Sequence, residues 1–105
     1  MEAVIVYCTC PSAEVAERIA RTLVEERLAA CVSRLPGVVS TYRWNNAVTV
    51  EQEVLLTIKT STTRHAALQA RLVELHPNEI PEVLAVEARG FAPYLSWINR
   101  ETRHA

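Results

Sequence analysis

Aspartate is absent from this chain: all 12 acidic residues are Glu. Oxygen-rich calcium and magnesium sites usually draw on Asp, so such sites are disfavoured. A Ser-His-Asp triad is excluded for the same reason, and no nucleophile motif accompanies a Glu replacement. Glycine is almost as scarce, with only Gly37 and Gly90. A phosphate-cradling Walker loop or a dinucleotide fingerprint needs more, at fixed spacing. Lysine occurs once, at Lys59, among 11 basic residues. Either a compact ammonium matters there or, more plainly, Lys59 is a solvated strand-end side chain. The charges are scattered and sum to -1. No basic stripe exists, so nucleic acid is not the expected partner. No apolar run approaches the roughly 18 residues that span a membrane, and none looks like a signal peptide. Three cysteines, Cys8, Cys10 and Cys31, are an odd number. They fit reduced thiols in a cytoplasm better than a disulfide framework.

What is present suits a single domain spanning residues 1–105. Half the residues are hydrophobic, enough for a core. A domain this small still buries only about two-thirds of its unfolded surface, so association with further copies would help it. Val4 to Cys8 is a nearly continuous apolar run, expected as a strand buried on both faces. Pro11 stops it and Ser12 is placed to cap a helix. Val15, Ile19, Leu23 and Leu28 then recur on one helical face.

Cys31 to Trp44 and Val48 to Thr60 read as two long strands joined at Asn45-Asn46, a pair that tolerates left-handed geometry. Pro36-Gly37 predicts a bulge within the first. Thr62 or Thr63 is a candidate cap for a second helix carrying Leu68, Leu72 and Leu75, ended by Pro77. Val83 to Ala88 is expected as a last core strand. Pro93 suits the first turn of a short helix with Tyr94, Trp97 and Ile98, and Arg100 to Ala105 is expected to fray.

The order βαββαβ plus a terminal helix predicts an α+β, ferredoxin-like fold, with an antiparallel sheet and both helices on one face. The hairpin strands, of about a dozen residues each, reach roughly 40 Å. That is more than so small a domain can cover. Unpaired edges of this kind are normally covered, and another subunit is the expected cover.

Several segments in order carry a resemblance. They are Leu28-Ala29-Ala30-Cys31, Pro36-Gly37 with Tyr42-Arg43-Trp44, Ile58-Lys59-Thr60, His76-Pro77 with Pro81-Glu82, and Tyr94-Leu95 with Trp97. Together they resemble the CutA proteins, the divalent-cation tolerance family, from about Val4 to Ile98. The resemblance implies a ferredoxin-like subunit in a homotrimer whose long hairpins cross subunit boundaries. It implies a link to divalent cations, copper above all, and no catalysed reaction. Enterobacterial members associate a Cys, a His and a Glu with copper; by motif these fall on Cys8, His76 and Glu82. Cys10, before Pro11, matches a cysteine of many other members. Two positions depart from the family: Asn78 stands where Tyr commonly follows His-Pro, and Asn46-Ala47 replaces a common Gly-Lys pair.

Thiolate, imidazole and carboxylate suit copper or zinc better than hard cations. The alternative is packing: a buried Cys8, a helix-ending His76 and an edge Glu82. Cys8 and Cys10, two apart on a strand, point to the same side and together suit a soft ion such as Cu(I); the plainer reading is one buried thiol and one at the strand end. Cys31 reads as core. His65 and His104 read as solvated. Glu51 and Glu53 share a strand face and are placed to pair with Arg43 across the hairpin. Two functions follow. The first is a trimeric metal-binding or metal-responsive protein. The second is a ligand sensor or adaptor like the trimeric PII proteins, with small-molecule sites between subunits where Lys59 and Arg side chains meet an anion.

Overall fold

The computed structural model describes residues 2–103, so His104 lies outside the described residues. The chain runs β1 (Ala3–Cys10), α1 (Ala13–Glu25), β2 (Cys31–Trp44), β3 (Ala47–Ser61), a 3-10 turn (Thr62–Arg64), α2 (His65–Leu75), β4 (Leu84–Ala88) and α3 (Ala92–Glu101). All pairings are antiparallel, in the order β2-β3-β1-β4. The expected α+β order of elements is therefore present. Among the described residues no helix is long and apolar enough to cross a membrane.

Alternation decides the core. In β1 the residues Val4, Val6, Cys8 and Cys10 are buried, and in β3 so are Val54, Leu56, Ile58 and Thr60. They are cross-strand partners on one face of the sheet. Ile19 and Leu23 of α1 and Leu68 and Leu72 of α2 join them in one core cluster. The intervening β1 residues Ile5, Tyr7 and Thr9 are only half-buried. The expectation of a strand buried on both faces is corrected: the second face has no helix over most of its area. Only α3 reaches it, at one end, where Ala3, Ala30 and Ile98 cluster.

Local signals set the element ends. The Ser12 hydroxyl accepts from the Val15 amide at 3.2 Å and opens α1. The helix closes earlier than Leu28, because Arg27 turns left-handed at φ 58°. Leu28 N–H then donates to Leu23 O and Arg27 N–H to Val24 O, satisfying two terminal carbonyls. No side chain caps α2; the 3-10 turn leads into it instead, replacing the expected Thr62 or Thr63 cap. Asn45 and Asn46 both have positive φ, 50° and 62°, and close the two-residue hairpin between Trp44 and Ala47. Pro36 and Gly37 together oppose Val54, and Gly37 takes φ 81°. This is the predicted bulge.

Two further expectations change. β4 begins at Leu84 and is an exposed edge strand rather than a core one, with Leu84 62% and Val86 47% exposed. The tail from Arg100 does not fray at once. Thr102 is buried, and its hydroxyl donates to Ile98 O at 2.8 Å beside the Ser61 hydroxyl at 3.0 Å. The outer hairpin projects from this body and stretches the subunit to 44 × 24 × 21 Å.

Candidate metal centre

The buried end of β1 holds the chemistry. Cys8 and Cys10 lie opposite Leu56 and Val54, and both are fully buried on the helix-covered face. The reading of one buried and one strand-end thiol is thus replaced by a buried pair. His76 follows the last residue of α2 and precedes Pro77, which biases it to the extended conformation it adopts at φ -80°, ψ 134°. That turn sends the chain back toward β1. The imidazole is buried, with Nε2 2.8 Å from Thr9 O. The Asn78 amide donates to Nδ1 at 3.1 Å. An amide N–H only donates and a carbonyl only accepts, so the ring proton stands on Nε2 and the lone pair on Nδ1.

The sulfurs of Cys8 and Cys10 and a ring nitrogen of His76 all lie within 4.8 Å of one another. The two thiols act as a pair. Cys8 is pushed far up, first because its S–H donates to Cys10, then by burial, with Glu82 and Glu53 adding repulsion. Cys10 moves down, because it receives that hydrogen bond, and Arg18 adds attraction. Two sulfurs and an imidazole suit thiophilic ions. Calcium and magnesium, which demand six or more oxygens, find no match in this donor set.

Of the expected site residues, the fold brings Cys8 and His76 together. Glu82 stands outside that cluster and is exposed. Its carboxylate acts on Cys8 only through space. Glu82 lines instead a cavity of about 640 Å³ against the outer half of the hairpin, near its turn. Glu51, Glu53 and Glu79 join it there, with Tyr42 and Trp44 as aromatic wall and no Lys or Arg among the lining residues. The expected pairing of Glu51 and Glu53 with Arg43 is not formed: Arg43 opposes Val48 in the register. The Tyr42 hydroxyl donates to Glu51 at 2.7 Å, and this raises the phenol above its usual range.

Other side chains also settle. Lys59 is half-buried and not solvated; its ammonium donates to Ser33 Oγ, Thr57 O and Thr57 Oγ1 at 2.8–3.2 Å. All three of its protons have acceptors, which leaves little reason for it to seek an anion. Cys31 is half-buried rather than core. It adjoins Tyr94, whose hydroxyl is pushed up by burial and by that thiol. His65 is not solvated either: its Nε2 is shut away with no hydrogen-bond partner. Sequence reasoning missed the Thr9 carbonyl and the Asn78 amide, since backbone groups leave no trace in residue type.

Residues 4–101 match the family model of the CutA1 divalent ion tolerance protein. The chain belongs to the CutA family. A divalent-cation tolerance protein CutA of Thermus thermophilus is 48% identical over 99 residues, 93% of this chain and 96% of that one. The crystal structure of CutA from the plant pathogen Xylella fastidiosa superposes with a TM-score of 0.95 at 46% identity, over 98% of this chain and all of that one. CutA from Archaeoglobus fulgidus, described as a periplasmic divalent cation tolerance protein, superposes with a TM-score of 0.93 at 31% identity. It covers 96% of this chain and 99% of its own. The Thermus and Archaeoglobus relatives are named for tolerance of divalent cations.

Proposed function

We propose that the chain is a homotrimeric, non-enzymatic metal-binding protein of a reducing cytoplasm, serving divalent-cation tolerance by holding a copper-like or zinc-like ion at the end of β1. One observation carries the site: three thiophilic donors converge within 4.8 Å in a buried pocket. Cys8 and His76 are two of the ligands, with Cys10 or Glu82 as the third. Three free thiols favour a reducing compartment. The bare sheet face and the projecting hairpin support the trimer, since both leave apolar side chains such as Leu84, Val86, Val48 and Val50 in water. The PII-like alternative loses its anion-binding lysine, because Lys59 already has three acceptors. The test is a competitive titration of the reduced protein with copper and zinc, beside Cys8→Ser and His76→Gln. Stoichiometric binding, weakened in both variants, is expected. Unchanged affinity for both metals in both variants removes the site.

A further inference from the structure

The reading of the β1 end as a metal site leaves open its third ligand, the class of ion, and what binding does to the protein. We propose that Cys10, and not Glu82, completes the site with Cys8 and His76, that it takes a soft monovalent ion of the copper(I) class, and that loading it releases the amide of Asn78.

The ligand set follows from burial. Both sulfurs have no exposed surface and belong to the core cluster shared with α1 and α2, and His76 beside them is 6% exposed. Glu82 is exposed and turned to the acidic cavity. A neighbouring subunit cannot reach a fully enclosed sulfur, so the chain itself supplies every donor. It supplies three. Structural zinc is almost always four-coordinate, and three-ligand zinc keeps a water in the open position. Both sulfurs are closed to water here. A monovalent d10 ion is satisfied by two or three soft donors, and thiolates select it.

The release of Asn78 follows from proton bookkeeping on the imidazole. Nδ1 now accepts from the Asn78 N–H. Should the metal bind Nδ1, that lone pair is used. Should it bind Nε2, the neutral ring carries its proton on Nδ1, which then faces another N–H. Either way the Asn78 amide loses its acceptor. Asn78 and Glu82 both line the acidic cavity, so the change reaches that wall.

The experiment is an anaerobic copper(I) titration against a chromophoric chelator, with zinc(II) in parallel. Wild type, Cys10→Ser, Glu82→Gln and Cys8→Ser are compared after their melting curves confirm folding. Wild type should bind one copper(I) per chain and prefer it to zinc. Cys10→Ser should weaken binding by more than the roughly 10–100-fold typical of losing an outer hydrogen-bond partner, and Glu82→Gln should stay within about twofold. X-ray absorption of the loaded wild type, which needs no variant, should count two sulfurs and one nitrogen. The Asn78 amide resonance should shift and its hydrogen exchange accelerate on loading. Loss of binding in Cys8→Ser with none in Cys10→Ser overturns this ligand set yet keeps the β1 site. Indifference to Cys8 as well overturns both. A four-coordinate spectrum, preference for zinc, or an unmoved Asn78 amide overturns the corresponding part of the proposal.

Discussion

His76 shows how one side chain ties two distant segments. Its ring spans the carbonyl of Thr9 on β1 and the amide of Asn78 after α2. Thr60 does similar work at the other end of the sheet. It is fully buried, and its hydroxyl donates to Leu28 O at 2.7 Å, holding the loop after α1 against β3. Thr60→Val keeps the shape and leaves that buried carbonyl short of a donor. A loss of about 1–3 kcal/mol is expected, read by urea unfolding. A change below the error of the fit would show that Leu28 O finds another partner. At this scale strand alternation put Cys8 and Cys10 on one side and the His-Pro stop ended α2, because both signals are local; the association of Cys8 with His76 came from the family resemblance and not from a local pattern. The sequence could not mark Glu82 as turned away, because side-chain direction after Pro81 depends on how the loop returns to the sheet.

Elements are governed by backbone conformation at a few positions. Gly37 sits at φ 81° with open space where a Cβ would go, so conformation and not crowding restricts the site. Gly37→Ala should cost roughly 1–2 kcal/mol, the ordinary penalty for a left-handed L-residue. Asn46 at φ 62° obeys the same rule: Asn46→Ala should destabilise by about 1 kcal/mol, whereas Asn46→Gly should not. Equal melting temperatures for the Ala and Gly variants would refute the account of the turn. Between the helices, Arg71 grips both oxygens of Glu26 at 3.0 and 2.9 Å. That hydrogen bonding lowers the Glu26 carboxyl below its usual range. A depressed carboxyl contributes stability above its unfolded pKa, about 4.3, and loses it as pH falls through the lower folded value. Glu26→Gln should therefore show a shallower fall in melting temperature below about pH 4.3 than the parent. Identical acid limbs would mean that the pair contributes nothing.

For the whole molecule the unbalanced surface is decisive. One sheet face is covered by two helices, while the other leaves Ile5 and Tyr7 half-buried and Leu84 and Val86 open. The expected outcome is a trimer by light scattering at micromolar concentration. Val86→Arg, on the open face beside Ile5 in the register, should shift the mass toward monomer and expose the tryptophans to quenching. A trimer unchanged by that charge would place the interface elsewhere, on the hairpin edges. Apolar patches of this kind are ordinarily occupied, since each large apolar side chain removed from water is worth roughly 1.5–3 kcal/mol.

The sequence by itself determined the elements, their order, the bulge at Pro36-Gly37 and the turn at Asn45-Asn46. Those depend on short-range sterics and periodicity, which residue type encodes directly. It also determined membership of a family, through ordered segments spread over the chain. Only the tertiary structure decided that Cys8 and Cys10 are buried together, that His76 joins them, that Glu82 faces a separate acidic cavity with Glu51 and Glu53, and that Lys59 is already satisfied. The reason is physical. Convergence of residues 8, 10 and 76 depends on the return of α2 to β1 and on which sheet face the helices cover. Those are long-range packing outcomes that no local pattern specifies.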